Sequence, residues 1–338
     1  MILVTGATGL VGSHLLVLLL EKHKSVRALY RRIEGIEKTK SVFRYKNKLH
    51  LFENIEWVEA DILDIPKLSM AFEHVETIYH CAAYISFNPA DEQKLRKTNI
   101  EGTANVVNCC IDFKVKKLCY VSSIAALGTA KEPDLMVDET ADWNPEKYHS
   151  DYAISKYGAE MEVWRGFQEG LEVVVVNPGV IFGFSSFDTG SGLFFKALQN
   201  GLLFFTKGNI AIVAVEDVVY CMQQLTESNC NGEKFILVAE NISYKNMFSI
   251  IADGLGAVKP RFFVSKLWTT IAWKLDTLAS VIGIKKSSFS KSTANAAHAV
   301  EWFSNVKLKE HLSFNFTNMK TYLEDLCKVY LSRQIKIS

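Results

Sequence analysis

The chain has few of the residue patterns that mark several protein classes. Its seven cysteines are odd in number and form no C-x-x-C pair, so we expect reduced thiols in a cytoplasmic protein rather than a disulfide framework. Its eight histidines show no H-E-x-x-H or other ligand spacing, and we expect no metal. A net charge of +1, with no basic tract interleaved with aromatic residues, argues against a nucleic-acid partner. Because Met1 already belongs to the first apolar run, we expect no signal peptide.

Residues 262–284 are rich in Trp, Leu and Ile, but charges interrupt them. A membrane-spanning helix needs about 20 mostly apolar residues, and this segment contains Lys266, Lys274 and Asp276. We therefore do not expect it to cross a membrane. Two interpretations stay open: an amphipathic helix that contacts a membrane peripherally or covers the substrate, or a helix packed on the rest of the protein or at a subunit contact.

Apolar segments of strand length alternate along the chain with helix-length amphipathic stretches. They lie at residues 1–5, 25–30, 55–59, 76–82, 117–122, 172–177, 210–215 and 234–239. Strands that are apolar on both faces, such as Leu171 to Val176, are typical of a parallel sheet covered on both sides. This pattern predicts an α/β fold: a Rossmann doubly wound parallel sheet with a smaller, mostly C-terminal α/β lobe.

The alternation becomes less regular after about residue 178, which indicates two parts of the chain with different roles. We expect residues 1–178, with returning strands at about 210–239, to form the dinucleotide-binding domain. Residues 179–209 and 240–338 are expected to form the substrate-binding lobe. Ligands bind beyond the carboxyl ends of the strands in such a sheet, so catalytic groups are expected there.

Three glycines separate the first apolar run from the first helical stretch, in the sequence Val4-Thr5-Gly6-Ala7-Thr8-Gly9-Leu10-Val11-Gly12. One glycine permits a positive φ, a second lets a pyrophosphate approach the backbone, and a third lets the helix pack on the strand. The N–H groups of the helix start then point at the phosphate. An ordinary glycine turn is the alternative. We predict a dinucleotide site built from Gly6, Thr8, Gly9, Leu10, Val11 and Gly12.

Tyr152 and Lys156 stand four residues apart in a predicted helix, so they lie on one of its faces. A tyrosine with a pKa of about 10 exchanges protons poorly near neutral pH, whereas an ammonium group beside it favours the phenolate. Ser123, just after the fifth strand, adds a hydroxyl for the same carbonyl oxygen, and Ser122 is the alternative. This set suits hydride transfer between a nicotinamide and a carbon that bears oxygen.

With these residues the chain resembles the extended short-chain dehydrogenases/reductases, the superfamily of nucleotide-sugar epimerases, dihydroflavonol reductases and 3β-hydroxysteroid dehydrogenases. The resemblance covers roughly residues 1–240 and is closest to the dihydroflavonol reductase and hydroxysteroid dehydrogenase branch. The landmarks that carry it occur in order: Thr5 to Gly12, Asp61-Ile62, His80-Cys81-Ala82-Ala83, Asn99-Ile100-Glu101-Gly102-Thr103, Val121-Ser122-Ser123, Tyr152 to Lys156, and Asn177-Pro178-Gly179.

The resemblance implies a role for each matching residue. Tyr152 is the acid/base, Lys156 lowers its pKa and holds the nicotinamide ribose, and Ser123 polarises the carbonyl. Ser123 is preferred to Ser122 because it lies five residues before Gly128, as the family's hydroxyl residue does in its S-x-x-x-x-G stretch. The implied cofactor contacts further along the chain are Asp61 and Ile62 at the adenine, Ala82 and Ala83 at the pyrophosphate, Asn99 beneath the nicotinamide, Ser122, and Pro178, Gly179 and Val180 at the carboxamide.

The end of the second strand bears on the cofactor. Members that prefer NAD place an acidic residue there to bind the ribose 2′-hydroxyl, but this chain has Tyr30 followed by Arg31 and Arg32. Two guanidinium groups suit a 2′-phosphate. We therefore predict NADP bound by Arg31 and Arg32, with NAD as the alternative if the arginines are merely solvated.

Absences narrow the substrate class. Dehydratases of the family carry an acidic pair where this chain has Ile124-Ala125-Ala126, and no arginine occurs between Arg165 and Arg261 to bind the diphosphate of a nucleotide sugar. Aromatic residues are plentiful instead, although many of them belong to the core. The candidate substrate residues are Tyr84, Phe87, Phe182 and Phe184, and they suit an apolar carbonyl compound or alcohol.

Three functions follow from these features. The first is an NADP-dependent oxidoreductase acting on an apolar small molecule, the second a nucleotide-sugar epimerase with the same Tyr and Lys, and the third a non-catalytic NADP-sensing protein. The resemblance also implies a homodimer through helices at 95–113 and 152–169, although packing within the domain equally explains their apolar faces.

Overall fold

The structure, a computed structural model, describes residues 1–130, 136–185, 187–281 and 290–335. Its strands are β1 (Ile2–Thr5), β2 (Val26–Tyr30), β3 (Ile55–Glu59), β4 (Thr77–His80), β5 (Lys117–Val121), β6 (Met136–Val137), β7 (Glu172–Pro178), β8 (Val180–Phe182), β9 (Phe204–Phe205), β10 (Asn209–Ala214), β11 (Glu233–Leu237), β12 (Glu240–Ser243), β13 (Phe262–Phe263) and β14 (Trp302–Phe303).

The α-helices alternate with these strands through the first two thirds of the chain. They are α1 (Leu10–Leu20), α2 (Glu34–Tyr45), α3 (Ile65–Ala71), α4 (Glu92–Leu95), α5 (Gly102–Asp112), α6 (Asp151–Gln168), α7 (Gly192–Gln199), α8 (Val215–Glu227), α9 (Tyr244–Leu255), α10 (Lys266–Val281), α11 (Lys291–Ala296), α12 (Val306–Leu312) and α13 (Met319–Ile335). A π-helical turn, Arg96–Glu101, joins α4 to α5.

Seven strands form the main sheet, in the order β11-β7-β5-β4-β1-β2-β3. Every neighbouring pair in this sheet is parallel. The order reverses between β1 and β4, so the crevice beyond their carboxyl ends is where a doubly wound sheet binds its ligand. The predicted fold class is confirmed.

The central strands are apolar on both faces because helices cover both. In β7, Val174 and Val176 pack into the core on the side of α1 and α8. Val173 and Val175 pack on the opposite side, with residues of α3, α5 and α6. Successive side chains of a strand point to opposite faces, so this run of four valines joins the two halves of the core.

The smaller lobe has its own sheet, in the order β12-β10-β8. Of the strands within 210–239, β11 joins the main sheet and β10 joins the smaller one. β10 is parallel to β8, with Ile212 opposite Val180, and antiparallel to β12. The apolar side chains of this sheet pack with α7, α9 and α13 in a third core cluster.

The segment at 262–284 contributes β13 and α10, and its last residues, 282–284, lie outside the described part of the chain. Through the described ranges, no helix combines the length and the apolar character that crossing a membrane requires.

Candidate active site

The glycine turn between β1 and α1 forms a tight cradle against the loop that follows β4. Gly6 has φ +63°, and a Cβ placed on it would lie 2.5 Å from the backbone N of Ala82. A Cβ on Gly12 would lie 2.3 Å from the carbonyl oxygen of Gly6. Ala82 also donates its N–H to Thr5 Oγ1 over 3.2 Å. Only glycine fits the first position without strain, and side chains at either would push the backbone elements apart.

The start of α1 has the features of an anion site. Gly9 precedes the helix in an extended conformation, and no described side chain caps it. The N–H groups of Leu10 and its successors in the first turn carry the positive end of the helix dipole. With Ala82 and Ala83 on the facing loop, this cradle fits a dinucleotide pyrophosphate.

The arginines expected to select the cofactor lie at the exposed end of β2. Both Arg31 and Arg32 are exposed. The Nη1 of Arg31 lies 3.5 Å from the Oδ2 of Asp61, the residue expected at the adenine. Ile62 is buried beneath α5, where a Cβ on Gly102 would approach its Cδ1 to 2.5 Å.

The helix predicted at 95–113 is interrupted at Asn99, which lies in the π-helical turn. The side-chain amide of Asn99 donates to the carbonyl of Tyr84 and to Ser155 Oγ, each over 2.9 Å. Its Oδ1 accepts the N–H of Tyr84 over 2.7 Å. Asn99 thus ties the loop after β4 to α6, the helix that carries the catalytic candidates.

Ser123 and Tyr152 meet although 28 intervening residues separate them in the sequence. Ser123 follows β5 in an extended conformation and its Oγ accepts the N–H of Ala125 over 3.1 Å. Tyr152 lies in the first turn of α6, where Ser150 caps the helix through the N–H of Ala153. Burial raises the pKa of Tyr152, and a hydrogen bond with the Ser123 side chain opposes that rise.

Lys156 lies one turn further along α6 and is buried, with 2% of its surface exposed. Its Nζ donates to the hydroxyl of Tyr120 over 2.8 Å and to the carbonyl of Val121 over 2.7 Å. Burial lowers the pKa of Lys156 to about 7, and the charge of Glu160 opposes that fall. Burial is the largest influence on the pKa of Tyr152, and the lowering of that pKa by Lys156 stays a prediction.

The two serines after β5 have different partners. Ser122 is buried and its hydroxyl donates to Glu160 Oε2 over 2.5 Å. The same oxygen accepts from Asn177 Nδ2 over 2.9 Å, and Oε1 accepts from Trp164 Nε1 over 3.2 Å. Ser122 therefore belongs to a buried network around Glu160. Ser123 is the serine whose side chain affects the pKa of Tyr152.

Sequence reasoning missed Glu160. Charged residues are seldom buried unless paired, yet Glu160 has only 2% of its surface exposed. One signal was available in the sequence: Glu160 follows Lys156 by four residues and Tyr152 by eight, so all three share one helix face.

Of the candidate substrate residues, Phe87 contacts Tyr152. Its ring makes an edge contact with Tyr152, with centroids 5.6 Å apart, and 52% of its surface is exposed. Tyr84 instead donates its hydroxyl to Asp91 over 3.1 Å, and Lys94 Nζ lies 4.0 Å from its ring centroid.

The expectation that Phe182 and Phe184 line the substrate site is not met, because both belong to the core. Phe182 has no exposed surface and packs against Phe194 and Phe195. Phe184 stacks on Tyr45 with centroids 4.1 Å apart.

The residues expected at the nicotinamide carboxamide lie where β7 passes to the smaller sheet. β7 ends at Pro178, and β8 begins at Val180. Between them Gly179 donates its N–H to Leu237 over 3.1 Å. A Cβ on Gly179 would lie 2.5 Å from the carbonyl oxygen of Ala211, so this position also requires close backbone approach.

Comparisons with known proteins identify the family of the chain. The profile of the NAD dependent epimerase/dehydratase family matches residues 2–234. A provisionally named dihydroflavonol 4-reductase of Synechocystis is 28% identical over 289 residues, which cover 83% of this chain and 80% of that protein. Sterol demethylase protein B of Methylococcus capsulatus is 26% identical over 266 residues, 78% of this chain and 76% of that protein.

A solved structure shares the fold over almost its whole length. The UDP-glucose 4-epimerase of Thermotoga maritima superposes with a TM-score of 0.77 at 19% identity, covering 98% of this chain and 99% of that one. Since the family profile covers more than half of the sequence, the chain belongs to the NAD dependent epimerase/dehydratase family and is an NAD(P)-dependent enzyme of the extended short-chain dehydrogenase/reductase type.

Proposed function

We propose that the protein is an NADP-dependent oxidoreductase that transfers hydride to or from an apolar carbonyl compound or alcohol, with Ser123, Tyr152 and Lys156 as its catalytic set. The observation that carries this proposal is the placement of Ser123, whose side chain lowers the pKa of Tyr152 against the effect of burial, beside Tyr152 and one helical turn from the buried Lys156. A protein that only sensed its cofactor would have no use for a proton donor and a polarising hydroxyl at one point.

The side chains suit carbonyl reduction. A bound nicotinamide supplies the hydride that reaches the carbonyl carbon. Tyr152 keeps its proton at neutral pH because burial raises its pKa, and it gives that proton to the carbonyl oxygen, which becomes the alcohol. Ser123 donates a hydrogen bond to the same oxygen as negative charge develops on it. Lys156, charged below a pH of about 7, stabilises the phenolate left on Tyr152.

The preference for NADP rests on the end of β2. Tyr30 occupies the position where an acidic residue would bind a ribose 2′-hydroxyl. Arg31 keeps 58% of its side chain exposed while it pairs with Asp61, so it is accessible to a phosphate. Arg32 stands beside it, also exposed. Two guanidinium groups bind a phosphate dianion more strongly than a neutral ribose hydroxyl.

Three observations support an apolar substrate. The exposed ring of Phe87 lies against Tyr152. The sequence from 166 to 260 has no arginine to bind the diphosphate of a nucleotide sugar. Relatives in the same family are named for dihydroflavonol, sterol and anthocyanidin compounds, which carry apolar rings. We infer a ring-bearing ketone, aldehyde or secondary alcohol.

The test follows NADPH oxidation with a panel of ring-bearing ketones and aldehydes, and product formation with a parallel panel of UDP- and GDP-sugars. We expect stoichiometric NADPH consumption with a ring-bearing carbonyl, and its loss in Tyr152→Phe with NADPH binding retained. Interconversion of a nucleotide sugar without net NADPH consumption would overturn the proposal in favour of an epimerase. NADPH binding without turnover on either panel would overturn it in favour of a sensor.

A further inference from the structure

A group of large apolar side chains is exposed on the smaller lobe, away from the catalytic residues in the sequence. Each has between 38% and 67% of its surface exposed. We call this group the aromatic patch; it consists of Phe204, Phe262, Phe263, Leu267, Trp268 and Ile271. Isolated apolar residues on a surface are ordinary, but a concentration of exposed apolar side chains in one part of the chain points to an interaction site.

The patch is built from two neighbouring elements. β13 is parallel to β9, which sets Phe262 opposite Phe204, with ring centroids 6.0 Å apart. α10 begins three residues after β13, and its Leu267, Trp268 and Ile271 are all exposed within little more than one turn. The members of the patch thus lie close together along the chain, from β13 to the second turn of α10, with Phe262 and Phe263 on opposite faces of β13.

The opposite side of α10 is anchored to the protein. Thr269 has 7% of its surface exposed, and its Oγ1 hydrogen-bonds His298 Nε2 over 2.9 Å. Asp276 is equally buried. A helix held by one face with apolar residues on the other has the arrangement of an interfacial amphipathic helix.

Basic residues outnumber acidic ones around the patch along the chain. Lys207 Nζ lies 5.0 Å from the ring centroid of Phe263. The sequence from 254 to 275 contains no Asp or Glu, and its basic residues are Lys259, Arg261, Lys266 and Lys274. All four are exposed, although Lys259 also pairs with Asp253 over 2.8 Å. The patch thus combines aromatic side chains with a positive rim.

We propose that the aromatic patch binds the surface of an anionic lipid bilayer. Tryptophan and phenylalanine insert at the boundary between headgroups and acyl chains, while lysine and arginine attract anionic headgroups by about 1 kcal/mol each. A second copy of the chain is a poor occupant of the patch. A two-fold contact would bring two identical positive rims together and pay for their repulsion.

The proposal is tested by flotation of the purified full chain with two kinds of vesicle, one of phosphatidylcholine alone and one of equal parts phosphatidylcholine and phosphatidylserine. We expect the protein to float with the anionic vesicles, and high salt to weaken that binding. The double variant Phe262→Ser/Trp268→Ser should reduce the bound fraction roughly tenfold, because two side chains that enter the interface are lost. Lys266→Gln/Lys274→Gln should weaken binding to anionic vesicles and reduce its salt dependence.

The matched control is Ile65→Ser/Met70→Ser on α3, which removes two apolar side chains that are 54% and 70% exposed outside the patch. It should float like the unaltered protein, and thermal unfolding should show that every variant is folded. Failure of the unaltered protein to float, or equal losses in the patch and control variants, would overturn the proposal. Self-association abolished only by Phe262→Ser/Trp268→Ser in sedimentation velocity, without flotation, would overturn it in favour of a second copy.

Discussion

The hydroxyl of Ser122 donates a hydrogen bond of 2.5 Å to the buried carboxylate of Glu160. Its neighbour Ser123 instead has a side chain that lowers the pKa of Tyr152. Replacing each serine by alanine should therefore affect different properties. Ser122→Ala leaves Glu160 short of one donor and should lower the free energy of unfolding by about 1–3 kcal/mol. Ser123→Ala removes a donor to the reacting oxygen and should lower kcat by roughly 10²–10³-fold.

Urea unfolding and steady-state NADPH oxidation, measured on both variants, check this prediction. The ratio between the two effects is informative because the residues are adjacent and their substitutions are identical. If Ser122→Ala lowered kcat as much as Ser123→Ala without loss of stability, Ser122 would have to be reassigned to catalysis.

Glu160 should control the pH range in which the enzyme works. Lys156 faces the hydroxyl of Tyr120 and the carbonyl of Val121. Burial lowers its pKa to about 7, and the charge of Glu160 opposes that fall. Glu160→Gln removes this opposing charge. The pKa of Lys156 should then fall, so that its positive charge is lost at a lower pH.

Reduction depends on the charged lysine, so activity should decline as pH rises through the pKa of Lys156. The alkaline limb of the profile of kcat/KM against pH should move to lower pH in Glu160→Gln. The control is Glu162→Gln, which changes a partly exposed carboxylate on the same helix that pairs with Arg165. A profile whose alkaline limb stays unchanged in Glu160→Gln, at normal stability, would contradict the proposed electrostatic role of Glu160.

The main sheet was predictable from the sequence because its strands carry a local signal. Val173 to Val176 are apolar on both faces, and only a sheet covered on both sides gives such a run a buried environment. The sheet to which β10 belongs was not predictable in the same way. Its residues, Asn209–Ala214, have the same apolar character, and their pairing with β8 is decided by contacts with distant parts of the chain.

The residues of the candidate site also differ in how far the sequence predicted them. The placement of Ser123 and Tyr152 at one carbonyl oxygen was expected from the family resemblance. The burial of Glu160 was not predictable, because a carboxylate in a helix is normally solvated. Its donors, Ser122 and Asn177, lie near the ends of two different strands. Local sequence patterns predict strands and turns well, whereas buried polar networks depend on tertiary contacts.

Arg31 and Arg32 should decide between the two nicotinamide cofactors. Loss of a hydrogen bond to a charged group costs about 1.5–3 kcal/mol, so Arg31→Gln/Arg32→Gln should raise KM for NADPH by roughly 10–100-fold. KM for NADH should change little, because a ribose hydroxyl gains less from these cations. The control is Arg44→Gln, which alters an exposed arginine paired with Glu37 on α2. Equal losses with both cofactors would show that the arginines do not select for the 2′-phosphate.

Phe87 and Phe184 should separate substrate binding from core packing. Phe87 contacts Tyr152 and has 52% of its surface exposed. Phe87→Ala should therefore change the free energy of unfolding by less than about 0.5 kcal/mol and raise KM for a ring-bearing substrate. Phe184 is 5% exposed and stacks on Tyr45, so Phe184→Ala should cost about 3–5 kcal/mol of stability.

Denaturant unfolding and substrate titration at saturating NADPH distinguish these outcomes. The comparison is sharp because both changes remove the same side chain, one beside the catalytic tyrosine and one from the core. A folded Phe87→Ala protein with unchanged KM across the ring-bearing panel would remove Phe87 from the substrate site. A raised KM in Phe184→Ala at nearly normal stability would instead place Phe184 in the substrate site. Loss of core packing alone lowers the folded fraction, but it does not change the affinity of the folded enzyme for substrate.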